Sequence, residues 1–145
     1  MSMTPREYLS QVFRIEQRIK AKEIKSAEFE NLADSIPGPN YDGIKVDHSR
    51  RTDAPFVYWI EKKAEVDEQI RNLRARQSVL KGEIMTAIEK LENEEYQSLL
   101  VMRYFNFRTW EDVAYELSVS LATVKRRHTK ALEEIGEKMN RNEPL

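Results

Sequence analysis

Cysteine is absent from this 145-residue sequence, which excludes disulfides and thiolate metal sites and fits a reducing, cytoplasmic setting. Glycine is scarce at four residues, while charged residues reach 34%; that balance favours long solvated helices over a sandwich or a doubly wound sheet. No run of about 18 apolar residues occurs, so no membrane partner is expected. The opening MSMTPREYLSQVF also lacks the apolar core of a signal peptide. Catalytic constellations are missing too: there is no glycine-rich phosphate loop, no HExxH pair, and no serine or cysteine nucleophile set beside a histidine. Carboxylates such as Glu61, Glu65 and Glu68 lie among lysines and arginines at salt-bridge spacing and read as solubilising charge. No enzyme activity and no cofactor are therefore expected. With His48 and His128 as the two histidines and no cysteine, no zinc site is expected.

The net charge of −1 gives no global sign of a nucleic-acid partner, but the charge is unevenly spread. Between residues 92 and 119 stand the acids Glu92, Glu94, Glu95, Glu111, Asp112 and Glu116 against Arg103 and Arg108. Between 120 and 135 the balance reverses, with Lys125, Arg126, Arg127 and Lys130 against Glu133 and Glu134. A local basic stripe in a neutral chain has to be explained.

Thr4-Pro5 is a good helix start, since threonine caps and proline suits the first turn. From there to about Ala33, apolar residues at Leu9, Val12, Phe13, Ile15, Ile19, Ile24, Phe29 and Leu32 keep helical spacing. The register blurs near Lys20–Lys25, which leaves room for a break or bend around Lys25-Ser26. The stretch Ile36–Pro55 is rich in proline and glycine without a period and reads as a long connection. It is either a linker or, through Tyr41, Arg50 and Arg51, a partner contact.

The clearest period begins at Phe56. Val66, Ile70, Leu73, Gln77, Leu80, Ile84, Ala87 and Leu91 follow steps of four and three, a heptad seam interrupted by Gln77 and by Lys63 at the preceding seam position. A helix from about Phe56 to Leu91 has to bury this seam, in an antiparallel hairpin with the first helix, in a homodimer through the 56–91 helix, or in both. Phe56, Trp59 and Ile60 form an apolar end expected to anchor the bundle.

Residues 92–145 form the expected second domain, following a helical region over 1–91 with its loop at about 36–55. EEYQSLLVMRYF is amphipathic, Asn106-Phe107-Arg108 is a short break, and Thr109 opens the helix TWEDVAYEL with Asp112 in capping-box position. Trp110, Val113, Ala114 and Leu117 are its expected inner face. Ser118-Val119 makes a tight turn, and Ser120 caps a third helix whose buried stripe is Val124, Ala131, Leu132 and Ile135. Small Ala114, apolar Val119 in the turn and β-branched Val124 are what two closely crossing helices need. With a capped, basic second helix they describe a helix-turn-helix.

The run LLVMRYFNFRTWEDVAYELSVSLATVKRRHTKALEEI resembles region 4 of sigma-70-type factors, and more closely the phage-encoded late-transcription regulators of the RinA and ArpU type. The match lies in RYF, TWEDVA and SxxTVKRRHxKAL; residues 1–90 are similar in layout alone. The resemblance implies an all-α protein, a long helical hairpin or coiled coil followed by a sigma-region-4-like helix-turn-helix. It also implies double-stranded DNA as partner, and it allows a contact with RNA polymerase. The base-reaching positions of the sigma pattern fall on Leu121, Ala122 and Arg126. Two of these are apolar where the pattern is charged, so an ordinary −35 element is not the expected target. Leu121 and Ala122 suit thymine methyls and Arg126 suits guanine, Lys125 and Lys130 suit phosphates, and Ser120 and Thr123 suit a phosphate at the helix start. Thr129 completes the expected DNA-binding set. Arg127 is nearer the protein and suits a carboxylate such as Glu116, and His128 reads as a packed, satisfied histidine. Two other functions fit the same layout: a small-terminase-like packaging subunit, and a protein-interaction module that does not bind DNA.

Overall fold

The computed structural model describes residues 3–36 and 54–142. Every regular element in them is an α-helix: α1 (Pro5–Asp34), α2 (Ala54–Glu89), α3 (Glu94–Tyr104), α4 (Trp110–Leu117) and α5 (Leu121–Asn142). No helix among the described residues is long and apolar enough to cross a membrane. Residues 37–53 of the expected connection lie outside the described residues, and Tyr41, His48, Arg50 and Arg51 with them. α2 begins at Ala54 with Pro55 in its first turn, where a missing N–H costs nothing.

α1 starts with a reciprocal cap. Thr4 Oγ1 accepts the Glu7 N–H at 3.1 Å, and Glu7 Oε2 accepts the Thr4 N–H at 3.4 Å. The helix then runs unbroken to Asp34, so no interruption occurs at Lys25-Ser26. The chain divides into two compact units, Gln17–Ala75, and Met1–Glu16 with Arg76–Leu145.

Within Gln17–Ala75 the two helix segments pair antiparallel. Phe29 stacks on Trp59 with ring centroids 5.8 Å apart, Ser26 meets Lys63 and Asp67, and Glu23 meets Arg74. Ile19, Ala33, Val66 and Leu73 are buried between them. The seam interruption at Lys63 is answered by Ser26 on α1 and Asp67 on α2: Lys63 Nζ donates to Ser26 Oγ at 3.0 Å and to Asp67 Oδ2 at 2.9 Å, and Ser26 Oγ donates to Asp67 Oδ1 at 2.6 Å. The Ser26 bond, then Lys63, holds the Asp67 carboxyl below its ordinary value. This polar layer explains the blurred register. Ser26 takes the inward place, and Ile24, two residues and roughly 200° earlier round the helix, is left 73% exposed. Ile60 likewise does not anchor the bundle. It is 40% exposed, because neighbouring Trp59 takes the inward place against Phe29.

The unit of Met1–Glu16 with Arg76–Leu145 has a core fed by all five helices: Leu9 and Val12, then Ile84, Ile88 and Leu91, then Leu99, Leu100 and Tyr104, then Val113 and Ala114, and finally Val124, Ala131 and Ile135. Ile88 replaces Ala87 as the buried seam residue, Ala87 being half-buried; a straight helix of 3.6 residues per turn drifts off a strict heptad. Gln77 is buried, and its Nε2 donates to the Val12 carbonyl at 3.2 Å and to Glu16 Oε2 at 3.0 Å. A Cβ at Gly136 would stand 3.1 Å from Pro5 Cγ, so this glycine lets α5 pass close to the first turn of α1.

Candidate nucleic-acid interface

Capping and turn chemistry place α5. Asn93 caps α3, its Oδ1 accepting the Glu95 N–H at 2.9 Å and the Tyr96 N–H at 3.3 Å. Glu94 and Glu95 occupy the positive end of that helix. α3 closes at Phe105, whose N–H donates to the Val101 carbonyl at 2.9 Å; two residues on, Phe107 is a non-glycine residue at φ 58°, and its ring packs on Phe13 with centroids 5.4 Å apart. Thr109 then caps α4, its Oγ1 accepting the Asp112 N–H at 3.1 Å.

The turn between α4 and α5 is left-handed at Ser118 (φ 56°, ψ 42°). The Ser118 N–H donates to the Tyr115 carbonyl at 3.1 Å and the Val119 N–H to the Ala114 carbonyl at 3.1 Å. This pair of bonds closes a helix end sharply and returns the chain to the core. Val119 packs against the core and Ser120 caps α5, its Oγ accepting the Thr123 N–H at 3.1 Å and donating to Thr123 Oγ1 at 2.9 Å.

α5 has two faces. Val124, His128, Ala131 and Ile135 are buried on one side. On the other, Ser120, Ala122, Lys125, Arg126, Thr129 and Lys130 are exposed, while Leu121 and Thr123 are half-buried at the edge of that surface. At 3.6 residues per turn, Ala122 and Thr129 fall on one line, with Lys125 on one flank and Arg126 and Lys130 on the other. Among the described residues no carboxylate forms an ion pair with Lys125, Arg126 or Lys130. The fourth base of the stripe is withdrawn: Arg127 Nη1 pairs with Glu95 Oε2 at 3.1 Å. Its expected partner Glu116 pairs instead with Arg108 at 3.6 Å, because Glu95 on the first turn of α3 lies beside α5.

Beneath the exposed face sits a polar-aromatic cluster. His128, 4% exposed, lies 2.7 Å through Nε2 from the Tyr104 hydroxyl and is edge-on to Trp110 at 4.6 Å. Burial, then the nearby Arg6 and Arg103 guanidinium groups, pushes its pKa down to about 4, so it is neutral at pH 7. Burial raises the Tyr104 phenol above its ordinary value. The hydroxyl therefore keeps its proton and can donate it to a neutral imidazole. Arg103 lies 4.3 Å over the Trp110 ring, its Nη1 donating to the Arg108 carbonyl at 2.8 Å.

Two features of the site escape a linear reading. Glu133 is exposed on the line of Arg126, two turns further on; the spacing of seven was its available signal. The Arg103–Trp110 stack had none, because it depends on how α3 and α4 turn at Phe107.

Residues 87–137 match the family model described as Sigma-70, region 4. That family is a DNA-binding, non-enzymatic helix-turn-helix domain, and the matched span takes in the end of α2, all of α3 and α4, and most of α5. The region 4-like domain thus carries the described face of α5 whole. Comparisons with curated proteins and with solved structures find no match.

Proposed function

We propose that the chain is a sequence-specific regulator of transcription, of the phage or prophage kind, that binds double-stranded DNA by laying α5 in the major groove. One observation carries this reading: Lys125, Arg126 and Lys130 stand exposed on one face of a helix whose opposite side is buried, and no described carboxylate pairs with them. Unpaired cations on the second helix of a helix-turn-helix are what phosphate neutralisation requires. In this reading Lys125 and Lys130 hold phosphates, and Arg126 forks onto guanine O6 and N7. Ser120 and Thr123 bring the start of α5 against the backbone. Ala122 and Thr129 face the groove floor, and Leu121 touches it from the edge. The resemblance to sigma region 4 extends the proposal to a contact with RNA polymerase. A homodimer through the 56–91 helix belongs to it as well, supported by exposed Ile60 and Val79 on α2. Sedimentation tests that part: a doubled mass is expected, and a constant monomer mass overturns it.

The decisive experiment compares duplex binding of the wild-type chain with Lys125→Ala and Arg126→Ala across a salt series. Each variant is expected to bind more weakly, and Lys125→Ala to flatten the slope of log affinity against log salt by roughly one unit. Unchanged affinity and slope in both would remove α5 from the DNA.

A further inference from the structure

We infer that Thr129 is a specificity-determining residue that recognises a thymine through its methyl group. This rests on the major-groove reading of α5. Thr129 is exposed, seven residues after Ala122 on the same line of the helix and one turn after Arg126. Its one hydrogen-bond donor is already committed: Oγ1 donates to the Lys125 carbonyl at 3.1 Å, one turn back. That bond fixes the side-chain rotamer and turns the oxygen onto the backbone, which leaves the methyl as the group offered to a partner. Long cations flank this line: Lys125 on one side, Arg126 and Lys130 on the other. The short residues on the midline meet the base edges beneath them, while the lysines reach outward to phosphates and Arg126 reaches a neighbouring guanine.

In the major groove only thymine presents a methyl group, at C5. An outward methyl with no free donor beside it selects against the carbonyl and ring-nitrogen acceptors that the other bases present, because it leaves them dry and unpaired. The rise of 1.5 Å per residue puts Thr129 about 10 Å along the axis from Ala122 and about 4.5 Å from Arg126. The thymine therefore lies one or two base pairs from the guanine read by Arg126, and about three from the pair that meets Ala122.

The test uses the full chain. A preferred site is selected from a random duplex library, and each thymine in it is then replaced singly by deoxyuridine, which removes the methyl alone. One replacement, one or two pairs from a guanine, is expected to weaken wild-type binding about fourfold, the worth of one buried methyl. The same replacement should cost Thr129→Ser nothing further, since serine keeps the hydroxyl and lacks the methyl. Thr129→Val, which keeps the methyl and lacks the hydroxyl, should retain the thymine dependence. The inference is overturned if deoxyuridine costs Thr129→Ser as much as wild type, or if Val loses the preference and Ser keeps it. In both cases site selection itself persists and the groove reading stands. A chain that selects no duplex overturns the groove reading and this inference with it.

Discussion

The hydroxyl of Tyr104 on α3 lies 2.7 Å from Nε2 of His128 on α5, and both side chains are buried. This bond ties the helix carrying the exposed basic face to the helix that supports it, from directly beneath that face. With the phenol protonated and the imidazole neutral, the hydroxyl can donate to an unprotonated Nε2.

Acid should therefore loosen the domain. The folded pKa of His128 is about 4, below the roughly 6.5 of an unfolded chain. Between those values the unfolded state binds the extra proton, so stability is full above pH 6.5 and falls as pH drops toward 4. The loss amounts to about 3 kcal/mol if the whole shift is realised. Denaturant midpoints measured from pH 7 to pH 4 give the slope, and His128→Gln should remove most of it, whatever its effect on the level at pH 7.

Arg127 should be separable from its neighbours. Because it pairs with Glu95, Arg127→Ala is expected to leave duplex affinity within about twofold, against a several-fold loss for Lys125→Ala. A loss as large as that of Lys125→Ala would mean that Arg127 leaves Glu95 for a phosphate.

Glu133 should act as an electrostatic stop. It stands exposed on the line of Arg126, where the third and fourth turns of a groove-bound helix come close to phosphates. Glu133→Gln is expected to raise duplex affinity about two- to fourfold at low salt, with the gain shrinking as salt is added. Glu133→Lys should steepen the salt slope by about one unit. Both changes are read by anisotropy titration on one duplex.

Ser118 carries backbone strain that glycine would relieve. Its φ of 56° is left-handed, and its N–H and that of Val119 already make the bonds closing α4. Ser118→Gly should stabilise the domain by about 0.5–1 kcal/mol, read as a higher denaturation midpoint with DNA affinity unchanged. A lower midpoint would show that the serine side chain is needed in the turn.

Local rules were enough to read most of the helix-turn-helix from the sequence. Thr109 and Ser120 cap where their spacing to Asp112 and Thr123 requires, and Val113, Ala114, Val124, Ala131 and Ile135 turn inward as their period dictates. Such features depend on residues within one or two turns of each other, so linear order carries them. The two polar interruptions of the α2 seam were equally visible, but their meaning was not. Lys63 and Gln77 allowed a dimer or a hairpin, and each has α1 partners in the same chain, Ser26 for one and Val12 and Glu16 for the other.

The sequence by itself determined that the chain is helical, where its helices begin and turn, and that a basic face lies on the last of them. Tertiary structure decided the rest. It exposed Ile24 by giving Ser26 the inward position, paired Arg127 with Glu95, joined His128 to Tyr104, and set Gly136 against Pro5. The physical reason is the same in each case. Helical period fixes which side of a helix a residue occupies, but the partner it meets there depends on where a second helix, distant in sequence, passes within a few ångströms.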